Sequence, residues 1–281
     1  MNASIPPNMP APSPAGHLDR DVVRLRGRDT IPLLQSLLTC DVDHLAPGDM
    51  AHGALLTPQG KIIDTLMLSR TDEGLYMDVS SGRGDGLRRK LTLYRLRADV
   101  EIEDASSDIC VGIGASPTKA LISAPDPRFS ALPSRWLAPK DSLPADLPSA
   151  EQTLRTIEIQ LGVPSFGEAF EETEVFPLDV NLDLLHGIDH KKGCFVGQEV
   201  ASRMFRKGEV RKRTYRVIGE ALEKGGAITA DGTTIGTILT ALGPDGLVMV
   251  RVDRLKSKEG HPILGPTDQP LIVQKPEYDV K

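Results

Sequence analysis

Aromatic side chains are scarce in this sequence: six Phe, four Tyr and one Trp among 281 residues. A core must therefore be built mainly from Leu, Val and Ile. At 40% hydrophobic content the chain carries enough of them for two or three compact units. Cysteine is scarcer still. Cys40, Cys110 and Cys194 are odd in number and widely spaced, which excludes a disulfide framework and suits a reducing compartment. No apolar run approaches the ~20 residues that span a bilayer. The formal net charge is −6, so the basic excess needed for wholesale nucleic-acid binding is missing. There is no Walker A loop and no G-x-S-x-G elbow, and Gly82-Arg83-Gly84-Asp85-Gly86 lacks the dinucleotide spacing and reads as a turn. Residues 1–16 are rich in Pro, Ala and Ser and lack the charge and apolar pattern of a targeting signal; they read as a disordered leader outside the fold.

What is present alternates between strand and helix signals. Residues 21–26 alternate apolar with polar as a half-buried strand, and Asp29 or Thr30 can cap a helix whose stripe is Ile31, Leu34, Leu37 and Leu38. Thr57-Pro58-Gln59-Gly60 suits a type I turn between strands 54–56 and 62–68. Asp64 interrupts the second of these; local alternation favours a solvent-facing carboxylate, with a pocket-lining one as the sharper alternative. Residues 87–97 form an amphipathic helix whose arginines read as a solvated face. Asp126-Pro127-Arg128 reads as a turn with a local ion pair. Ser149 and Gln152 suggest a capping box for a helix that Gly162 and Pro164 end. Beyond residue 208 short strands separated by Asp-Gly turns predict a small antiparallel barrel or sandwich. The body reads as α+β and not as a doubly wound parallel sheet.

The chemically dense stretch is Lys191-Lys192-Gly193-Cys194-Phe195-Val196-Gly197-Gln198-Glu199, closed by Arg203. Basic neighbours and a helix start just beyond favour the thiolate form of Cys194. If helical, Glu199 and Arg203 can pair across one turn. His186, His190 and Cys194 share a spacing of four, but glycines interrupt the run and a fourth zinc ligand is missing, so no metal site is assigned. A nucleophile with a histidine base stays open. The basic cluster 206–213 reads as an interdomain linker, with an anion or RNA contact as the alternative.

Lys192-Gly193-Cys194-Phe195-Val196-Gly197-Gln198-Glu199 followed by Arg203 resembles the signature of the YgfZ family of folate-binding proteins, relatives of the glycine-cleavage T-protein. Leu34 to Val42 resembles an early block of that family, with Cys40 in place of the usual Asn. Leu56 to Ile62 with Asp64, Asp126-Pro127-Arg128 with Arg135, and Leu154 to Pro164 resemble further blocks. The resemblance implies a T-protein-like ring of mixed α/β subdomains around a central cavity (residues 17–207) closed by a C-terminal antiparallel β-barrel (208–281). It implies a tetrahydrofolate ligand and a role in assembling or repairing iron–sulfur proteins, including tRNA-modifying radical enzymes, in a cytoplasmic monomer. Asp64 then falls at the pterin-side catalytic aspartate, and Cys194 is the candidate reactive thiol. Lys192, Gly193, Gln198, Glu199 and Arg203 frame it on the folate side. Gln160 stands where the T-protein carries a folate-contacting glutamate, with Glu158 close by. Two alternatives remain: a folate-dependent aminomethyl or other one-carbon transferase, against which Gln160 argues, and an RNA or protein adaptor using the 206–213 cluster.

Overall fold

A computed structural model describes residues 16–206 and 210–280. The expected leader, Gly16 apart, and the expected boundary at 207/208 lie outside the described residues. In chain order, β1 (Gly16–Leu18) and β2 (Arg20–Arg26) lead into α1 (Thr30–Leu37). Next come β3 (Met50–Leu56), β4 (Ile62–Thr71), β5 (Gly74–Ser80), α2 (Gly84–Arg95) and β6 (Glu101–Asp104). Then follow β7 (Ile109–Ile113), β8 (Ile122–Ala124), β9 (Arg135–Pro139), α3 (Glu151–Leu161) and α4 (Gln198–Arg206). The last part holds β10 (Lys212–Ile218), β11 (Ala227–Ala230), β12 (Thr233–Leu242), β13 (Asp245–Arg251), α5 (Val252–Ser257), β14 (Ile263–Leu264) and β15 (Pro270–Gln274).

Among the described residues the strands form three sheets: a five-stranded one ordered β3-β4-β5-β2-β6, a four-stranded one ordered β1-β7-β9-β8, and a closed barrel β10-β13-β12-β11-β14-β15. The five-stranded sheet buries Val23, Leu25, Leu66 and Leu68 against Leu34, Leu37 and Leu38 of α1 and Leu87 and Leu91 of α2, so the apolar stripes read from periodicity are the stripes that pack. From this same sheet Val22, Met50 and Tyr76 pack with Leu18, Val111 and Leu137 of the four-stranded sheet and Leu154 of α3. The two sheets therefore sandwich a shared layer, and the cavity described below opens within it. Gly112 lies opposite Trp136 in the four-stranded sheet, where a Cβ would overlap the buried indole and the Gly16 carbonyl.

Several local expectations yield to long-range contacts. The capping box at Ser149 does not form: the N-cap is Ala150, with no side-chain cap. Pairing with β1 replaces it, since Ala150 N donates to the His17 carbonyl (2.8 Å) and Glu151 accepts from Asp19 N. Asp29 is the N-cap residue of α1, but its side chain makes no capping bond; its carboxylate accepts from Asp99 N instead (2.8 Å). Gly84 and Gly86, expected in a turn, form the first turn of α2. β8, β9, β11 and β14 escape periodicity because each is short and is ordered by distant partners. The α+β body and the antiparallel barrel stand as expected.

Candidate functional site

A cavity of about 390 Å³ opens between the two sheets and α3. Its lining includes Arg20, His52, Thr65, Met67 and Ser80 from the five-stranded sheet, Arg128 from the β8–β9 connection, Arg135 from β9, and Gln152, Arg155 and Glu158 from α3. The α3 contribution follows helical spacing: residues 152, 155 and 158 share one face. Phe166, from the segment after α3, closes another wall.

Asp64 is not itself a lining residue; it directly precedes Thr65, Leu66 and Met67, which line the cavity. The register of β3 and β4 slips here, with Leu55 opposite Asp64 and Leu56 opposite Ile62, so Ile63 is an extra residue in a bulge. Asp64 is only 2% exposed, which corrects the solvent-facing reading from local alternation. Its Oδ2 accepts from Arg83 Nε at 2.9 Å, and Arg83 also reaches the Ile63 carbonyl, Glu172 and the face of Phe166. Oδ1 is buried with no hydrogen-bond partner among the described residues. Burial pushes the Asp64 carboxyl above the usual range, and the Arg83 pair opposes this without cancelling it.

Two ion-paired clusters stiffen the cavity wall. Arg128 is clamped between Asp126 (3.0 and 2.8 Å) and Glu158 (2.6 Å), all three buried. Asp78 Oδ1 accepts from both Arg20 (2.8 Å) and Arg135 (2.9 Å), and so ties the two sheets together. His52 feels the charges of Arg128 and Arg135. Burial first, and then the Arg128 charge, lower its pKa to about 4, so the ring is neutral near pH 7. With Nδ1 at 3.2 Å from the Leu185 carbonyl, that nitrogen must carry the proton.

The motif stretch lies elsewhere: no residue from 191 to 203 lines the cavity. It packs outside, against α1 and the 57–60 turn. Lys192, expected to activate Cys194, is buried and donates to the carbonyls of Leu38 (2.6 Å) and Cys40 (2.7 Å). The Asp189 carboxylate accepts from Lys191 N and Lys192 N. Gly197 adopts φ +81° against the Thr57 carbonyl, where a side chain would collide. Gln198 donates to the Gly193 carbonyl at 3.4 Å, bracing the loop that presents Cys194. Cys194 is exposed and precedes α4 by four residues. Glu199 and Arg203 are both exposed, and no ion pair joins them among the described residues. His186 is exposed and His190 stacks on Phe205. Among the described residues no group of three or more His, Cys, Asp or Glu is arranged to hold a metal.

Gln160 is exposed and outside the cavity lining, whereas Glu158, two residues earlier, is in it. The resemblance places the T-protein glutamate at Gln160 with Glu158 close by; residues two apart on a helix point to nearly opposite faces, and Glu158 is the one on the cavity wall. Arg128, Glu158, Arg20 and Asp78 carry the cavity's electrostatics. Only the Asp126–Arg128 pair signalled this locally. Of the basic cluster at 206–213, Arg213 is buried on Asp183 and so is not part of an exposed patch; Lys207 lies outside the described residues.

The three thiols should differ sharply in reactivity. Brief alkylation of the native protein with iodoacetamide is expected to add one adduct by intact mass, at Cys194. Cys40 and Cys110 are buried, and burial pushes the Cys40 thiol up to about 11. Two further adducts should appear only in denaturant; rapid native labelling of Cys40 would contradict this packing.

This arrangement of subdomains and barrel is the T-protein fold. It matches the glycine cleavage system aminomethyltransferase T from Bartonella henselae with a TM-score of 0.74, over 94% of this chain and 85% of that one, at 14% identity. At that identity the likeness speaks for fold alone. Residues 211–279 match the domain family described as the CAF17 C-terminal beta-barrel domain. The chain is 31% identical over 218 residues to the iron-sulfur cluster assembly factor IBA57 homolog, mitochondrial, of Mycosarcoma maydis. That alignment spans 69% of this chain but only 54% of the fungal protein. It is 28% identical over 233 residues to the tRNA-modifying protein YgfZ of Hamiltonella defensa, covering 72% and 69% of the two chains. The chain belongs with the YgfZ and IBA57 homologues, as its motifs indicated. No helix among the described residues is long and apolar enough to cross a membrane.

Proposed function

We propose that this protein binds tetrahydrofolate or a derivative in the cavity beside Asp64, and that it supports the assembly or repair of iron–sulfur proteins, tRNA-modifying enzymes among them. The observation that carries the folate reading is the buried, unpartnered Asp64 Oδ1, one residue before the cavity-lining Thr65. A buried acceptor without a donor costs about 1–3 kcal/mol, and the N–H groups of a reduced pterin would satisfy it. The role with iron–sulfur proteins rests on the names of the relatives.

A reduced folate, when bound, supplies one-carbon chemistry. This chain's residues hold and orient it. Asp64 accepts a hydrogen bond while Arg83 fixes its rotamer. Glu158, locked by Arg128, offers a second carboxylate acceptor from α3, and Phe166 and Met67 supply apolar walls. Cys194 faces solvent, so its proposed partner is a client protein at the surface and not the folate. Lys192 and Gln198 serve it by shaping the loop. In this reading the protein works as a cytoplasmic monomer.

Titration calorimetry with tetrahydrofolate tests this. Saturable binding is expected for the wild type, with affinity at least tenfold weaker in Asp64→Ala. Wild-type protein that fails to bind sinks the folate reading, and unchanged affinity in the variant removes Asp64 from the site. One-carbon transfer remains a second reading, favoured by the carboxylate of Glu158 in the cavity. Methylene-tetrahydrofolate formation from an aminomethyl donor, lost in Glu158→Gln, would select it.

A further inference from the structure

The six ionised groups Arg20, Asp78, Arg135, Asp126, Arg128 and Glu158 balance in total charge but not in distribution. At one end, one cation is clamped by two carboxylates, Asp126 and Glu158. At the other, two cations share a single oxygen of Asp78. Within these six groups that second end carries one guanidinium charge in excess; the buried Asp64 also feels the Arg20 charge but is itself paired with Arg83. Both Arg20 and Arg135 line the cavity there.

The donors at this end are also incompletely used. Arg135 is 3% exposed at its side chain, and its Nε–H is buried with no acceptor among the described residues. Arg20 contacts Asp78 through Nε, the Asp78 carbonyl through one terminal nitrogen and Ser80 Oγ through the other, which leaves further N–H groups on both terminal nitrogens. The second Asp78 oxygen is buried without a donor, so the cluster is short of a polar partner on both sides. Asp19 and Glu151 also line the cavity, but both are exposed, where solvent screens them.

We propose that Arg20 and Arg135 form a carboxylate-binding subsite at this end of the cavity. A ligand carboxylate matches the planar guanidinium fork, takes up unused N–H donors and makes the pairing two cations to two carboxylates. The carboxylate can come from the glutamate end of the folate, in which case the subsite rests on the folate reading, or from a free amino acid sharing the cavity.

Calorimetry on the full chain separates these sources. The probes are tetrahydrofolate, tetrahydropteroate (the same ring system without glutamate), and free glycine and glutamate. The proteins are wild type, Arg20→Gln and Arg20→Lys. If the folate supplies the carboxylate, the wild type binds tetrahydrofolate at least tenfold more tightly than tetrahydropteroate, Arg20→Gln erases the gap and Arg20→Lys keeps part of it. If a free amino acid supplies it, the two pterins bind alike and an amino acid binds saturably, with that binding lost in Arg20→Gln. Equal pterin affinities with no amino-acid binding overturn the subsite, as does a gap untouched by Arg20→Gln. Amino-acid binding without any pterin binding would overturn the folate reading and leave the subsite standing; no binding of any probe overturns both. Should Arg20→Gln fail to fold, the wild-type comparison and Arg20→Lys still decide.

Discussion

Arg128→Met should destabilise the protein by about 3–5 kcal/mol near neutral pH, read as a shift of the urea midpoint. The cost arises because removing the cation strands two carboxylates, Asp126 and Glu158, in a buried site. The same change at a surface pair would cost under about 1 kcal/mol, so the size of the effect reports the burial. The pH dependence gives a second check. Burial alone would raise the Asp126 carboxyl, but the charge and hydrogen bonds of Arg128 overcome it and hold the group at about 2. The folded value lies below the ordinary ~3.9 of the unfolded chain. The stability from this pair is therefore complete above about pH 4 and is lost as pH falls towards 2. The gap between wild type and Arg128→Met should narrow over that window. A gap that stays constant from pH 7 to pH 3 would mean that Arg128 acts by packing alone.

Lys192→Met should cost about 2–4 kcal/mol, although the residue sits in a motif whose chemistry suggests reactivity. Its ammonium bridges the carbonyls at the end of α1, those of Leu38 and Cys40, from a buried position 5.3 Å above the Phe195 ring. A methionine fills similar space but leaves both carbonyls without a donor, and charged hydrogen bonds contribute more than neutral ones. Burial lowers the Lys192 pKa because desolvation disfavours the ammonium. Because this bridge anchors the loop, alkylation of Cys194 in the variant should change in rate along with stability. A stable variant with wild-type Cys194 kinetics would show that the anchor is dispensable.

These two sites illustrate different limits of reading from sequence. Asp126 and Arg128 are two residues apart, so their pairing was legible. Their third member, Glu158, comes from a helix 30 residues further on, and no local pattern ties it to that pair. Motif spacing identifies a stretch of helix but not the face that the rest of the fold will cover. At Lys192 the composition spoke for an activated thiol, whereas the folded chain directs the ammonium to carbonyls more than 150 residues earlier. Asp64 shows the converse: alternation argues for exposure, but a bulge in β4 shifts the register just before Asp64, and the carboxylate is buried on Arg83.

The sequence by itself determined the class of fold and the main helices and strands. Their periodicities are local: α1 and α2 declare their buried stripes, β2, β4 and β5 their apolar content, and Gly162 the left-handed end of α3. It also marked Lys192 to Arg203 as a chemically distinctive stretch. Tertiary structure alone decided what faces what. It separated Cys194 from the cavity, chose Glu158 over Gln160, and gathered Arg20, Asp78 and Arg135 from three strands into one cluster. The reason is that burial and charge pairing depend on distances between segments, and a linear pattern carries those distances only within a few residues.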